Sequence, residues 1–110
     1  MKKHYNKLVR DFIPEIIEKE GKKANYRKLT QEELKDAIID KLFEEAHELK
    51  KAKTKKQRIE ELADITTVLT NIRALYDISL DEVYDTAITK IFSKGGFHDG
   101  IFLESVEVEK

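Results

Sequence analysis

The chain has 110 residues, with 21 Lys+Arg against 22 Asp+Glu, a 40% hydrophobic share, no Cys, no Trp, one Pro and four Gly. That length suits one domain with one core, and the lack of cysteine excludes disulfide scaffolds, zinc knuckles and thiol nucleophiles. The hydrophobic share excludes a disordered tail, and no apolar run approaches the roughly 20 residues of a membrane span.

The opening Met1-Lys2-Lys3-His4-Tyr5-Asn6 is basic, but no apolar stretch follows it as in a signal peptide, so a cytoplasmic protein is the expectation. Charge is balanced overall and uneven along the chain: residues 1–30 carry nine basic and four acidic residues, residues 31–110 twelve and eighteen. A basic arm on an acidic body can face a nucleic acid, or fold over the protein's own acidic site and meet a phosphorylated ligand there. The acidic body, with no aromatic residues interleaved in the basic run, speaks against the nucleic acid.

Taken in chain order, Pro14 suits the first turn of a helix, and Gly21 the position just past its end. Three capping boxes follow. Thr30-Gln31-Glu32-Glu33, Thr54-Lys55-Lys56-Gln57 and Ser79-Leu80-Asp81-Glu82 each set a hydroxyl three residues before Glu or Gln. These signals predict helices over about 13–20, 31–52, 55–76 and 80–94, with Gly95-Gly96 closing the last. Short connections make neighbouring helices antiparallel, so the expected class is all-α, a helical hairpin or four-helix bundle. Segments 24–29 and 101–108 read as extended and can pair as a small two-stranded ribbon. The whole chain reads as one domain, with a basic arm over 1–29, core helices over 30–94 and an extended tail over 95–110.

Carboxylates break the apolar pattern. At about 100° per residue, with Leu34 at zero, the apolar residues Leu34, Ile38, Leu42, Ala46, Leu49, Ile39 and Phe43 fill an arc of about 180°. Glu45 falls inside that arc at about 20°, and Glu48 and Glu44 continue along its border. On the next helix, with Ile59 at zero, Glu61 falls at about 200° inside the arc of Leu75, Val68, Ile72, Ile65 and Leu62, and Asp64 sits at its edge near 140°. A buried unpaired carboxylate costs several kcal/mol, so two helices turning acids inward need a common compensation. A divalent cation supplies it, and four oxygen donors without histidine or thiol suit Mg²⁺ or Mn²⁺. The competing reading pairs Glu45 and Glu61 with Lys41 or Arg58 at the arc margins.

Glu44-Glu45-Ala46-His47-Glu48 followed by Glu61-Leu62-Ala63-Asp64 forms the pattern E-E-x-x-E … E-x-x-D. It resembles the MazG-like all-α nucleoside triphosphate pyrophosphohydrolases, a superfamily that includes phosphoribosyl-ATP pyrophosphohydrolase. The opening Tyr5-Asn6-Lys7-Leu8-Val9-Arg10-Asp11-Phe12-Ile13-Pro14 and the ending Gly95-Gly96-Phe97 with Ile101-Phe102-Leu103-Glu104 resemble the phosphoribosyl-ATP pyrophosphohydrolase-like subgroup.

The resemblance implies that Glu45, Glu48, Glu61 and Asp64 bind Mg²⁺ and that Glu44 orients water. It also implies a basic pair facing the phosphates on the last helix, matched by Lys90 and Lys94, with Lys94 standing where Arg is common. Ile88 replaces an Asn found in many relatives, which bears on base or sugar recognition. From the residues themselves, Lys7 and Arg10 in the basic arm either reach phosphate or base, or tether the arm to the acidic body. Lys41 and Asn71 are further candidates for substrate contacts. His47 lacks a second histidine one turn on, so no zincin motif is present.

The implied activity is a metal-dependent release of pyrophosphate from a nucleotide, leaving the monophosphate. A non-catalytic nucleotide-sensing module is the alternative. Three long amphipathic helices in one small chain leave an apolar face uncovered, so a homo-oligomer, a dimer or higher, is expected.

Overall fold

The computed structural model describes residues 1–108. Among these residues four helices form: α1 (Ile13–Lys19), α2 (Gln31–Lys51), α3 (Lys55–Leu75) and α4 (Leu80–Lys94). The all-helical class and the four helices expected from the sequence are therefore present. The chain divides into two compact units, Met1–Asp77 and a second that begins at Ile78.

Local chemistry explains where each helix starts. Thr30, Thr54 and Ser79 accept hydrogen bonds from the backbone N–H of Glu33, Gln57 and Glu82, whose side chains accept in return from the cap backbone. All three capping boxes close, satisfying donors that a helix N-terminus leaves orphaned. Glu33 is also gripped by Arg27, with Nη1 and Nη2 at 3.1 and 2.8 Å.

Helix ends are as specific. After α1, Gly21 adopts φ +84°. Its N–H donates to Glu18 O, and that of Lys22 donates to Ile17 O. This is the paired bonding that a left-handed residue past a helix end makes available. Gly95, at φ +81°, ends α4 in the same region.

In the first unit α2 and α3 form a hairpin joined by Ala52, Lys53 and Thr54. Two contacts fix its antiparallel sense. Lys35, early in α2, lies 5.3 Å from the ring of Tyr76 just past α3, while Glu45 meets Glu61 nearer the connection. Among the described residues the buried apolar ones are Ile38 and Val68, and the one buried charged residue is Glu45. Much apolar surface stays in water: Phe43, Ile59, Leu62, Leu69 and Tyr76 are 45–69% exposed. In the second unit every described residue is exposed, including Tyr84, Ile88, Ile91 and Phe92 on α4.

The expected β ribbon does not form. Segments 24–29 and 101–108 are extended coil, and no strand occurs among the described residues. Alternating side chains make a strand only where backbone groups gain a ladder and one face is covered. Residues 101–108 are exposed throughout. Segment 24–29 instead leads into α2, held there by Arg27 on Glu33. Glu109 and Lys110, the last positions of the expected tail, lie outside the described residues.

The grip on Glu33 makes a pH prediction. Hydrogen bonds from Arg27 first, then from the Thr30 N–H, hold its carboxyl down at about 2. A carboxyl depressed in the fold contributes stability that is present above its ordinary value near 4.5 and is lost as pH falls toward 2. Thermal melts of Glu33→Gln should therefore lie below the wild type at neutral pH and converge with it by about pH 2. Thr30→Ala should cost about 1 kcal/mol at neutral pH.

Candidate functional site

One heptad from Ile38 and Val68, toward the hairpin connection, the seam between α2 and α3 turns acidic. Glu45 from α2 and Glu61 and Asp64 from α3 each present a carboxylate oxygen, and these atoms lie within 4.8 Å of one another. The i,i+3 spacing of Glu61 and Asp64 puts both on one helix face, and the antiparallel pairing brings Glu45 opposite.

Each acid is neutralised to a different degree. Asp64 Oδ1 accepts from Arg10 Nη2 at 2.7 Å, and the same nitrogen lies 3.3 Å from Thr67 Oγ1. Glu45 Oε1 lies 3.4 Å from Lys41 Nζ, one turn back on α2. Glu61 pairs with no cation among the described residues, and its Oε2 is buried without a hydrogen-bond partner. An uncompensated carboxylate in that position holds its proton. Hydrogen bonding with Glu45 first, then burial, then the charges of Glu45, Asp64 and Glu48, push the Glu61 carboxyl up to about 7.

Glu44 stands beside the group in the opposite state. Partial burial pushes its carboxyl up, but hydrogen bonds from Lys7 and Lys41, both at 3.2 Å, outweigh that and hold it below the usual range. Lys41 is itself largely covered, with 16% of its side chain exposed, and it ties Glu44 to Glu45. Glu48 lies at the margin: it is exposed, 3.9 Å from Lys51, yet close enough to act on Glu61 electrostatically.

Of the residues singled out in the sequence, the fold brings Glu45, Glu61 and Asp64 together and sets Lys7, Arg10, Lys41 and Glu44 against them. Glu45 is buried in the seam and also lies against Lys41. Arg58 does not reach Glu61; it donates to Lys53 O at 3.3 Å. The Asn71 amide donates to Thr67 O at 2.9 Å, back onto its own helix. Lys90 and Lys94 belong to the second unit, exposed one turn apart on α4. Thr67, missed in the sequence reading, was accessible as the residue one turn after Asp64 on the same face.

The donor set decides what this arrangement can hold. Three clustered carboxylates, one with an orphaned buried oxygen, suit a hard divalent cation and offer nothing to a soft one. No helix among the described residues is long and apolar enough to cross a membrane. A family model described as phosphoribosyl-ATP pyrophosphohydrolase matches residues 9–90, a span that includes every acid of the cluster. No curated protein and no solved structure matches the chain.

Crowding of the acids carries its own prediction. A carboxyl raised in the fold gives stability that is complete below its ordinary value near 4.5 and is lost as pH climbs through about 7. Glu61→Gln removes that loss. Without metal, its thermal midpoint at pH 8 should exceed the wild type by roughly 5 °C, the equivalent of about 1 kcal/mol in a small domain, and the gap should close by pH 4. Differential scanning calorimetry in a chelator checks this.

Proposed function

Because the chain belongs to the phosphoribosyl-ATP pyrophosphohydrolase family, hydrolases acting on phosphoric anhydrides, we propose that it converts a (d)NTP, or a related nucleotide such as phosphoribosyl-ATP, to the monophosphate and pyrophosphate. Glu45, Glu61, Asp64 and the neighbouring Glu48 would hold Mg²⁺, with Mn²⁺ as a substitute. The observation that carries this reading is the orphaned, buried oxygen of Glu61 among two further carboxylates. A scaffold acid would have a cation or a donor there. Family membership makes the chain an enzyme, so the non-catalytic alternative is not needed.

When bound, the ion supplies charge neutralisation for crowded phosphate oxygens and acidifies water. The protein's own residues do the rest. Glu44, kept ionised by Lys7 and Lys41, is suited to accept a hydrogen bond from the attacking water and orient it. Lys41 holds Glu44 and Glu45 in register. Lys90 and Lys94 supply phosphate-attracting charge; Lys94 does so as a point charge, without the bidentate grip of Arg. Asn71 is a candidate for a contact to the sugar or base.

The family match runs across the division at Asp77, which supports reading the chain as one domain; a cytoplasmic location belongs to the same proposal. Exposed apolar side chains on α3 and α4 support a homo-oligomer: surface of that kind marks an interface when it is contiguous and large.

A nucleotide panel with Mg²⁺, scored for pyrophosphate, tests the activity. At least one nucleotide should release pyrophosphate, with none released in excess chelator. Glu45→Gln and Glu61→Gln should each lower kcat by about 100-fold or more. Silence across the whole panel, phosphoribosyl-ATP included, would contradict the reading. Light scattering should give a mass at a multiple of 12.9 kDa; the single value would contradict the oligomer.

A further inference from the structure

Two cations of the N-terminal arm cross to the acidic centre. Arg10 lies 2.7 Å from Asp64, and Lys7 lies 3.2 Å from Glu44. Arg10 thus stands on one of the three carboxylates that converge with the orphaned Glu61 oxygen. It neutralises that acid alone. The side chains of both pairs are between 33% and 57% exposed, 57%/38% for Arg10 and Asp64 and 43%/33% for Lys7 and Glu44.

Exposed pairs of this kind are weak and exchange readily, which suits a latch better than a strut. A doubly charged ion taken up by the same carboxylates repels a guanidinium within hydrogen-bonding reach. The freed guanidinium, with five donors in a rigid fork, matches phosphate better than any other side chain does. Lys7 is also perched 6.0 Å from the Tyr5 ring, so it keeps a resting place when Glu44 is released.

We infer that residues 1–12 form an electrostatic latch on the acidic centre: a divalent cation displaces Arg10 from Asp64, and Arg10 and Lys7 then close on the polyphosphate of the arriving nucleotide. The inference rests on the metal-centre reading above and adds an order to it. The cation comes first, the nucleotide second, and the arm closes last.

The chain has no cysteine, so a nitroxide on His4→Cys reports the arm alone. Saturating Mg²⁺ should sharpen its spectrum, and a non-hydrolysable α,β-methylene nucleoside triphosphate should broaden it again. Calorimetry should show Arg10→Gln binding Mg²⁺ about two- to fivefold more tightly than wild type and the analogue about tenfold more weakly. Arg10→Lys, which keeps the charge, should return Mg²⁺ affinity to the wild-type value.

An unchanged spectrum at saturating Mg²⁺ would overturn the latch while leaving the metal centre standing. So would an Arg10→Gln variant that binds Mg²⁺ no more tightly. If the wild type takes up no Mg²⁺ at all, the metal centre fails and the latch with it.

Discussion

An ionised carboxyl withdrawn from water needs a cation, a donor or a proton; Glu61 has no cation partner among the described residues, and its Oε2 has no hydrogen-bond partner. Its partner across the hairpin, Glu45, is the one charged residue that is buried among those described. Like charges a few ångströms apart in a partly dry seam repel strongly, so the metal-free protein compromises. Asp64 borrows Arg10, Glu45 borrows Lys41, and Glu61 holds a proton well above the ordinary carboxylate range. Selection for stability alone would replace such an acid with leucine. Retaining it makes sense where the fold gives up stability for a binding site.

That concession is made on a framework with little to spare. Ile38 and Val68 are the buried apolar residues among those described, and the hairpin relies on the closed capping boxes at Thr30 and Thr54 to set where its helices start. The precision matters for the site. Glu45 and Glu61 meet only because the connection from Ala52 to Thr54 is short and α3 begins at a fixed residue. A one-residue slip along α3 would turn Glu61 by about 100° and dissolve the cluster.

Much of this was legible before any coordinates. The hydroxyl-x-x-Glu/Gln signals fixed helix starts because capping is a local contest among neighbouring groups. The inward acids were legible because a helix repeats every 3.6 residues, and any charge inside the apolar arc stands out. What failed or stayed hidden depends on distant partners. Residues 101–108 alternate like a strand, but a strand exists only with a ladder to join. Arg10 and Asp64 are 54 positions apart, and no periodicity connects a coil segment to a helix at that separation. Glu48 shares the motif spacing, yet it sits toward solvent with Lys51 near it, as its place on the border of the arc allowed.

The central claim is that the carboxylates of Glu45, Glu61 and Asp64 converge because one divalent ion belongs among them. Anomalous diffraction from crystals soaked in Mn²⁺ tests it most directly. The account predicts a single strong peak within coordinating distance of oxygens from all three side chains, including the orphaned Oε2 of Glu61. A map without density there at saturating Mn²⁺, with Arg10 still seated on Asp64, would contradict it.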